Sequence, residues 1–378
     1  MTITTAKLSM KQTEVDLLSD YSIQLNRWFL KPIVVPCILY VIYECDDAEM
    51  RVMMMGPLNH WFVGGINYTT LLFRGKDIQH CVKIIQTDWR AAKRLEDQRI
   101  MLTDAKFGRY VAVVCAVFMQ GGVMYYCVTT GLTTEIVQVG NETRIIRLLP
   151  CAAYTKLLPV NTSPTNEIIF VIQLFSGFIV NSTAVGAFSL AVVFAAHAYG
   201  QLNVLMMWIT ELVNQSRGHK KDIYFNYIAV VVEKHLRILS FISRIEDIMS
   251  KICFMELFKC TFCICMLGYY VLMHAANHDY QEMITCIVIL ISMAFNVFIV
   301  CYIGEQLSEQ CKKVGEAVYM TEWYYLPERE ILDLILIISR SNVAIKMTAG
   351  KFFEMSLVTF TTVMKTAFAY LNVLRQMV

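Results

Sequence analysis

Few side chains in this sequence are spaced for covalent or metal chemistry. The seven histidines are scattered. No Gly-x-Ser-x-Gly, His-Glu-x-x-His, phosphate-loop or dinucleotide glycine pattern occurs. Cys260, Cys263 and Cys265 lie close together (CTFCIC), but no His or carboxylate stands near them at ligand spacing. They read as buried thiols rather than a zinc site. Glu256 and Lys259 are three residues apart, where an ion pair along one helix face or a snorkelling lysine accounts for both. The expectation is therefore no enzyme, no metal and no cofactor.

A different chemistry is written into residues 352–374 (FFEMSLVTFTTVMKTAFAYLNVL). The stretch is long enough to cross a bilayer, yet it carries Thr359, Thr361, Thr362, Thr366, Tyr370 and Lys365, with Asn372 and Gln376 towards its end. An ionisable residue inside a span normally faces protein or water. Two readings stay open: a helix lining an aqueous path, or a packed helix whose threonines bond back to its own carbonyls while Lys365 snorkels.

The elements that would hold such a helix follow from composition. Of the 378 residues 56% are hydrophobic and only 17% charged, and mean hydropathy is +0.49. A soluble domain of this size needs more polar surface, so a polytopic, all-α membrane protein is expected. The net charge of +2 and the lack of basic clusters interleaved with aromatics give no reason to expect nucleic acid. The first residues lack an apolar signal core, and the thirteen cysteines have no disulfide-framework spacing.

Seven spans are expected, at about 28–43, 52–73, 110–132, 168–197, 253–275, 283–303 and 352–374. The first is the weakest, because Lys31, Pro32 and Pro36 interrupt it. Basic residues crowd 74–109 and 217–251, which places those loops in the cytoplasm, with the N-terminus inside and the C-terminus outside. The fourth span is longer than a bilayer needs and should continue through QLNVLMMWITELV. The amphipathic run at 228–252 should lead straight into the fifth span. Residues 304–351, including ILDLILIISR, are expected to pack as a cytoplasmic anchor region. The loop 133–166 reads as polar and external, with sequons at Asn141 and Asn161; the matches at Asn181, inside a span, and Asn214, inside the cell, should stay unused.

Aromatic and apolar residues gather in the outer halves of spans two to six: Trp61, Met119, Tyr125, Tyr126, Phe175, Phe178, Ile179, Tyr269 and Tyr270. They either wall a pocket for a small apolar ligand or serve as ordinary helix packing.

Long stretches of wording carry a family resemblance. They include GPLNHWFVGGINYTTLL, DAKFGRYVAVVCAVFMQGGV, FSGFIVNSTAVGAFSLAVVFAAHAYGQLNVL, HLRILSFISRIEDIMSKICFMELFKC, NVFIVCYIGEQLSEQCKKVGEAVYMTEWYYLP and KTAFAYLNVLRQM. The chain resembles an insect odorant receptor, and the wording is nearest to receptors of ants and bees. In similar receptors a longer segment separates KPI from VPCILYVI, so most of the first span is expected to be missing here. The resemblance implies a tuning subunit of a ligand-gated, non-selective cation channel in the plasma membrane of olfactory sensory neuron dendrites. Its partners would be small volatile odorants, membrane lipid and the odorant receptor coreceptor, in a heterotetramer. Carried over by position, Val373 and Met377 match a hydrophobic gate, Gln376 a polar pore position, and Lys365 lies about two turns deeper. The family pocket implied lies among segments two, three, four and six. A gustatory-type receptor is the nearest alternative. A G-protein-coupled receptor fits the span count but not the orientation, and a transporter would need repeats or broken helices that are absent from the sequence.

Overall fold

The computed structural model describes residues 33–45, 48–139, 142–216, 221–343 and 345–377. Nine helices carry the described chain. They are α1 Ile33–Tyr43, α2 Ala48–Phe73, α3 Gly75–Ala91, α4 Leu95–Leu132, α5 Thr165–Ser216, α6 Lys221–Ala276, α7 Tyr280–Tyr319, α8 Glu328–Asn342 and α9 Leu357–Met377. Four of these, α4 to α7, are long and apolar enough by themselves to cross a membrane. The described part of α1 has eleven residues, about 16 Å of helix, and does not reach across a ~30 Å hydrocarbon core. Residues 28–32 of the expected first span lie outside the described residues.

Sequence dictates the helix lengths. Between residues 165 and 216 there is neither proline nor a polar break, and α5 runs unbroken for 52 residues. The amphipathic run before the fifth span is likewise continuous with it, giving α6 its 56 residues. At 1.5 Å per residue each is about 80 Å long, more than twice the hydrocarbon thickness. Both helices therefore extend far past any bilayer, and their projecting ends pack on each other and on α7 through Ile209, Leu212, Ile242, Ile245, Val314 and Val318. The amphipathic helix α8 lays Leu334 and Ile337 into the same core. Charge ties this end together at its surface. Arg74 bonds Asp77 and Asp247, and Arg94 bonds Glu211 through two nitrogens at 2.7 and 2.8 Å. Arg74 and Arg94 are both held above the ordinary arginine pKa by these carboxylates, Arg74 first by Asp77 and Arg94 first by Glu211.

Two small sheets interrupt the helices. β1 (Thr134–Val139) and β2 (Glu142–Arg147) form an antiparallel hairpin in register Thr134↔Arg147 to Val139↔Glu142. The segment expected as a plain polar loop is therefore partly sheet. Its residues TEIVQV and ETRIIR are rich in β-branched side chains and flank Gly140-Asn141, a turn dipeptide. β3 (Thr348–Ala349) pairs with β4 (Phe353–Glu354) just before α9. Gly350 turns that hairpin at φ +63, a left-handed conformation, and packs tightly on Phe254 of α6. Where the chain passes Gly304 of α7, an added Cβ would meet the Met355 carbonyl at 2.5 Å. Next to it Glu305 accepts a hydrogen bond from the Leu357 N–H at 2.6 Å, satisfying an otherwise orphaned donor at the start of α9. Thus α7 fixes both the position and the first turn of α9.

Candidate functional site

An apolar cavity of about 130 Å³ opens between α2, α4, α6 and α7. Trp61, Tyr126, Leu267, Tyr270, Ile289 and Met293 are among its walls. Trp61 is fixed by its Nε1–H, which donates to Ser176 Oγ of α5 at 3.2 Å, and Gly177 leaves room for the indole ring. Tyr126 turns its hydroxyl away to donate to the Pro150 carbonyl at 3.1 Å. An engineered apolar cavity of about 150 Å³ stays dry and takes up benzene. The space here is of that order, enough for one small ring or a short chain.

Of the residues expected to wall a pocket, Trp61, Tyr126 and Tyr270 stand together at this cavity. Tyr269 is half-buried, edge-on to Tyr270 with ring centroids 5.4 Å apart. Met119 is buried in the main core, its carbonyl accepting from Asn181 at 3.0 Å, and does not line the cavity. Tyr125, Phe175, Phe178 and Ile179 lie on the outer surface of the chain, Phe175 with 61% of its surface exposed. Segments two, three and six meet at this cavity as the resemblance implied, but the fifth segment, α6, takes the place expected of the fourth, and neither His60 of the second span nor any α7 residue was among those expected. An ionisable residue in an apolar span is itself the signal that marks His60.

Two other cavities have at least one charged group in the wall. One, of about 200 Å³, lies among α3, α4, α5 and α6, where Asp88 bonds both His197 at 3.0 Å and Arg237 at 2.6 Å. The other, about 290 Å³, lies between α4, α5 and α7 beside Asp104, which accepts from Asn203 at 2.9 Å. The charged wall of the first suits an apolar ligand poorly, whereas the second sets Asp104 among apolar side chains such as Phe107, Val111, Val192 and Leu307.

Helix α9 has two unlike faces. Val363 and Ala367 are buried, with Phe360 and Met364 packed beside them against the core. Val358, Thr361, Thr362, Lys365, Ala369, Asn372 and Val373 are exposed. Thr361, Thr362 and Thr366 donate to the carbonyls four residues back at 2.8 to 2.9 Å. So the threonines do bond back, and at the same time Thr361 and Thr362 share an uncovered face with Lys365 and Asn372. Gln376 and Met377 continue the helix, but their side chains, like Asn141, lie outside the described ones.

Lys259 does not snorkel. It is 2% exposed and pairs with Glu256 at 2.5 Å, while Asn67 of α2 donates to the same carboxylate at 2.6 Å. Cys260, Cys263 and Cys265 are buried nearby. The Asn181 sequon is closed by packing, since the amide is buried and donates to Met119 O and Gln120 Oε1.

Comparison with known proteins decides the family. The family model described as 7tm Odorant receptor matches residues 57–368. The chain belongs to that family. "Odorant receptor 13a" of Drosophila melanogaster is 24% identical over 218 residues, which is 54% of this chain and 52% of the relative. "Odorant receptor 10" of Aedes albopictus is 21% identical over 243 residues, 61% of each chain. The chain thus spans about half the length of the curated relatives it matches. In structure it is similar to the insect olfactory receptor OR5 from Machilis hrabei. The complex of that receptor with eugenol gives a TM-score of 0.73 at 13% identity, covering 94% of this chain and 88% of the other. A second structure of OR5 gives 0.71 at 14% identity. At such identity the likeness is one of fold, and the fold of this odorant receptor family member is that of a seven-transmembrane helical subunit.

Proposed function

We propose that this chain is the odorant-binding, tuning subunit of a ligand-gated, non-selective cation channel formed with the odorant receptor coreceptor. The observation that carries the reading is the pairing of an apolar cavity among four membrane helices with a helix, α9, that packs by one face only. The first suits a small volatile molecule; OR5, which shares the fold, was solved with eugenol. The second leaves Thr362, Lys365 and Asn372 for something this chain lacks by itself, and neighbouring subunits around a common axis would meet that face.

In this reading the chain is a multi-pass protein of the dendritic plasma membrane, a receptor and not an enzyme, with its N-terminus in the cytoplasm. The projecting ends of α5 and α6, with the segment 304–351, form the cytoplasmic anchor of the assembly. Residues 357–377 line the conduction path, with Lys365 deep and Val373, Gln376 and Met377 at the outer gate. The sequons at Asn141 and Asn161 serve as extracellular glycan acceptors. Cavity and gate are joined through α7, which both walls the cavity and caps α9. An odorant opens the pore by binding the open arrangement more tightly than the closed one.

The test is whole-cell current from cells expressing this chain with the coreceptor, against a panel of volatiles, with the coreceptor alone as control. Ligand-evoked cation current that requires this chain is the expected result. Currents identical with and without it would remove the reading.

A further inference from the structure

His60 sets the chemical class of ligand that this cavity takes. It stands on α2, next to Trp61, in the wall of the cavity, and 8% of its surface is exposed. Its ring meets the Trp61 indole edge-on at 5.8 Å. Neither ring nitrogen has a hydrogen-bond partner among the described residues. Buried polar groups are nearly always paired, and a neutral imidazole has one N–H to give and one nitrogen lone pair to receive.

Several other polar groups of the wall are already engaged, and Glu282, near the start of α7, is only half-buried. Tyr126 donates to Pro150 O, Thr285 donates to the Gln281 carbonyl at 3.1 Å, and Trp61 donates to Ser176. Cys263 accepts a long contact from Asn59 at 4.0 Å, and His274 lies 3.7 Å from Asp279. His60 is therefore the buried polar residue of the wall whose ring nitrogens none of these groups takes up.

We infer that His60 is the polar anchor of the cavity, and that the preferred ligands are compact volatiles carrying one hydroxyl or carbonyl group. This rests on the odorant-binding reading above and deepens it. A hydroxyl can both give to and receive from the imidazole, and a carbonyl can receive from its N–H. A hydrocarbon of the same size satisfies neither nitrogen. The rest of such a ligand sits against Trp61, Leu267, Ile289 and Met293. With a volume of about 130 Å³, the ligand is limited to one small ring or an equivalent chain.

The experiment compares benzyl alcohol with ethylbenzene, which have nearly the same shape. Binding is read as ligand-induced thermal stabilisation of the purified full chain, and response as current from the chain with the coreceptor. The expected wild-type preference for benzyl alcohol is about tenfold, the worth of one net hydrogen bond. In His60→Phe the preference should fall to about twofold or less while ethylbenzene binding persists, which shows that the variant folds. His60→Gln, which keeps a donor and an acceptor, should retain part of it. A wild-type chain that binds both probes equally, or a His60→Phe chain with the preference intact, overturns the assignment whatever the currents show. A His60-dependent preference in binding without any evoked current keeps the anchor and instead removes the channel reading.

Discussion

Two lysines lie in membrane helices of this protein and meet opposite fates. Lys259 of α6 is 2% exposed, paired with Glu256 and braced by Asn67. Lys365 of α9 is exposed, and no carboxylate stands within ion-pair distance of it among the described residues. A charge in a hydrocarbon layer is tolerated only when paired, buried in protein or hydrated. The α6 lysine has the first two conditions within its own chain. The α9 lysine has neither, so its partner must be water or another subunit. The difference separates a region completed by its own fold from one whose outer face this chain leaves uncovered.

The sharpest way to break that comparison is to cut the buried pair. Lys259→Met leaves Glu256 buried without its cation, a loss of about 3–5 kcal/mol in comparable sites. The expected outcome is a chain that fails to reach the cell surface, or that loses most of its folded fraction on mild heating. The double variant Lys259→Met with Glu256→Gln removes both charges and keeps an acceptor for Asn67; it should recover most of the loss. Size-exclusion profiles of the tagged chain after graded heating would read both. Equal damage from the single and double variants would mean that the pair is not what holds α2 to α6.

Sequence showed the helices better than it showed their rotation. The unbroken length of α5 and α6 follows from apolar and amphipathic patterns that never pause. The α9 stretch announced itself by its threonines and Lys365. Tyr125 and Tyr126 show where such reading stops: adjacent on α4, they are about 100° apart around the axis, one on the outer surface and the other at the cavity. In a water-soluble helix polarity would say which face is inward. Here lipid and core are both apolar, and Phe175, Phe178 and Ile179 look as hydrophobic as any core residue while lying outside. The β1–β2 hairpin was hidden differently. Its β-branched residues flank the Asn141 sequon and are followed by Pro150, Pro159 and Pro164, a composition that suggests loop.

The second prediction takes the other lysine. Lys365→Ala should change the stability of the chain by no more than about 0.5 kcal/mol, as for an ordinary surface site. It should act on conduction instead. A positive charge about 10 Å from an ion in water raises the energy of a cation by about 0.4 kcal/mol, a factor of about two. Single-channel cation conductance is therefore expected to rise about twofold in Lys365→Ala and further in Lys365→Glu, with the rank order of odorants unchanged. A shift in odorant ranking as large as that from His60→Phe would erase the division between cavity and pore.

The smallest effect tests whether burial or pairing is what distinguishes the two lysines. Arg94 is well paired, with two nitrogens on Glu211, yet 45% of its side chain is exposed, against 32% for Glu211. If pairing alone gave Lys259 its importance, Arg94→Ala should be nearly as damaging. If burial is decisive, solvent screens the Arg94 pair, and its removal should cost below about 1 kcal/mol, shrinking further as salt rises past 0.15 M. Thermal stability of Arg94→Ala at low and high salt measures this directly. We expect a small deficit at low salt that closes at high salt, which would place Arg94 with Lys365 despite its partner. A deficit that is large and indifferent to salt would instead mean that α3, α4 and α5 depend on this surface pair, and that burial is the wrong measure of what a charge contributes here.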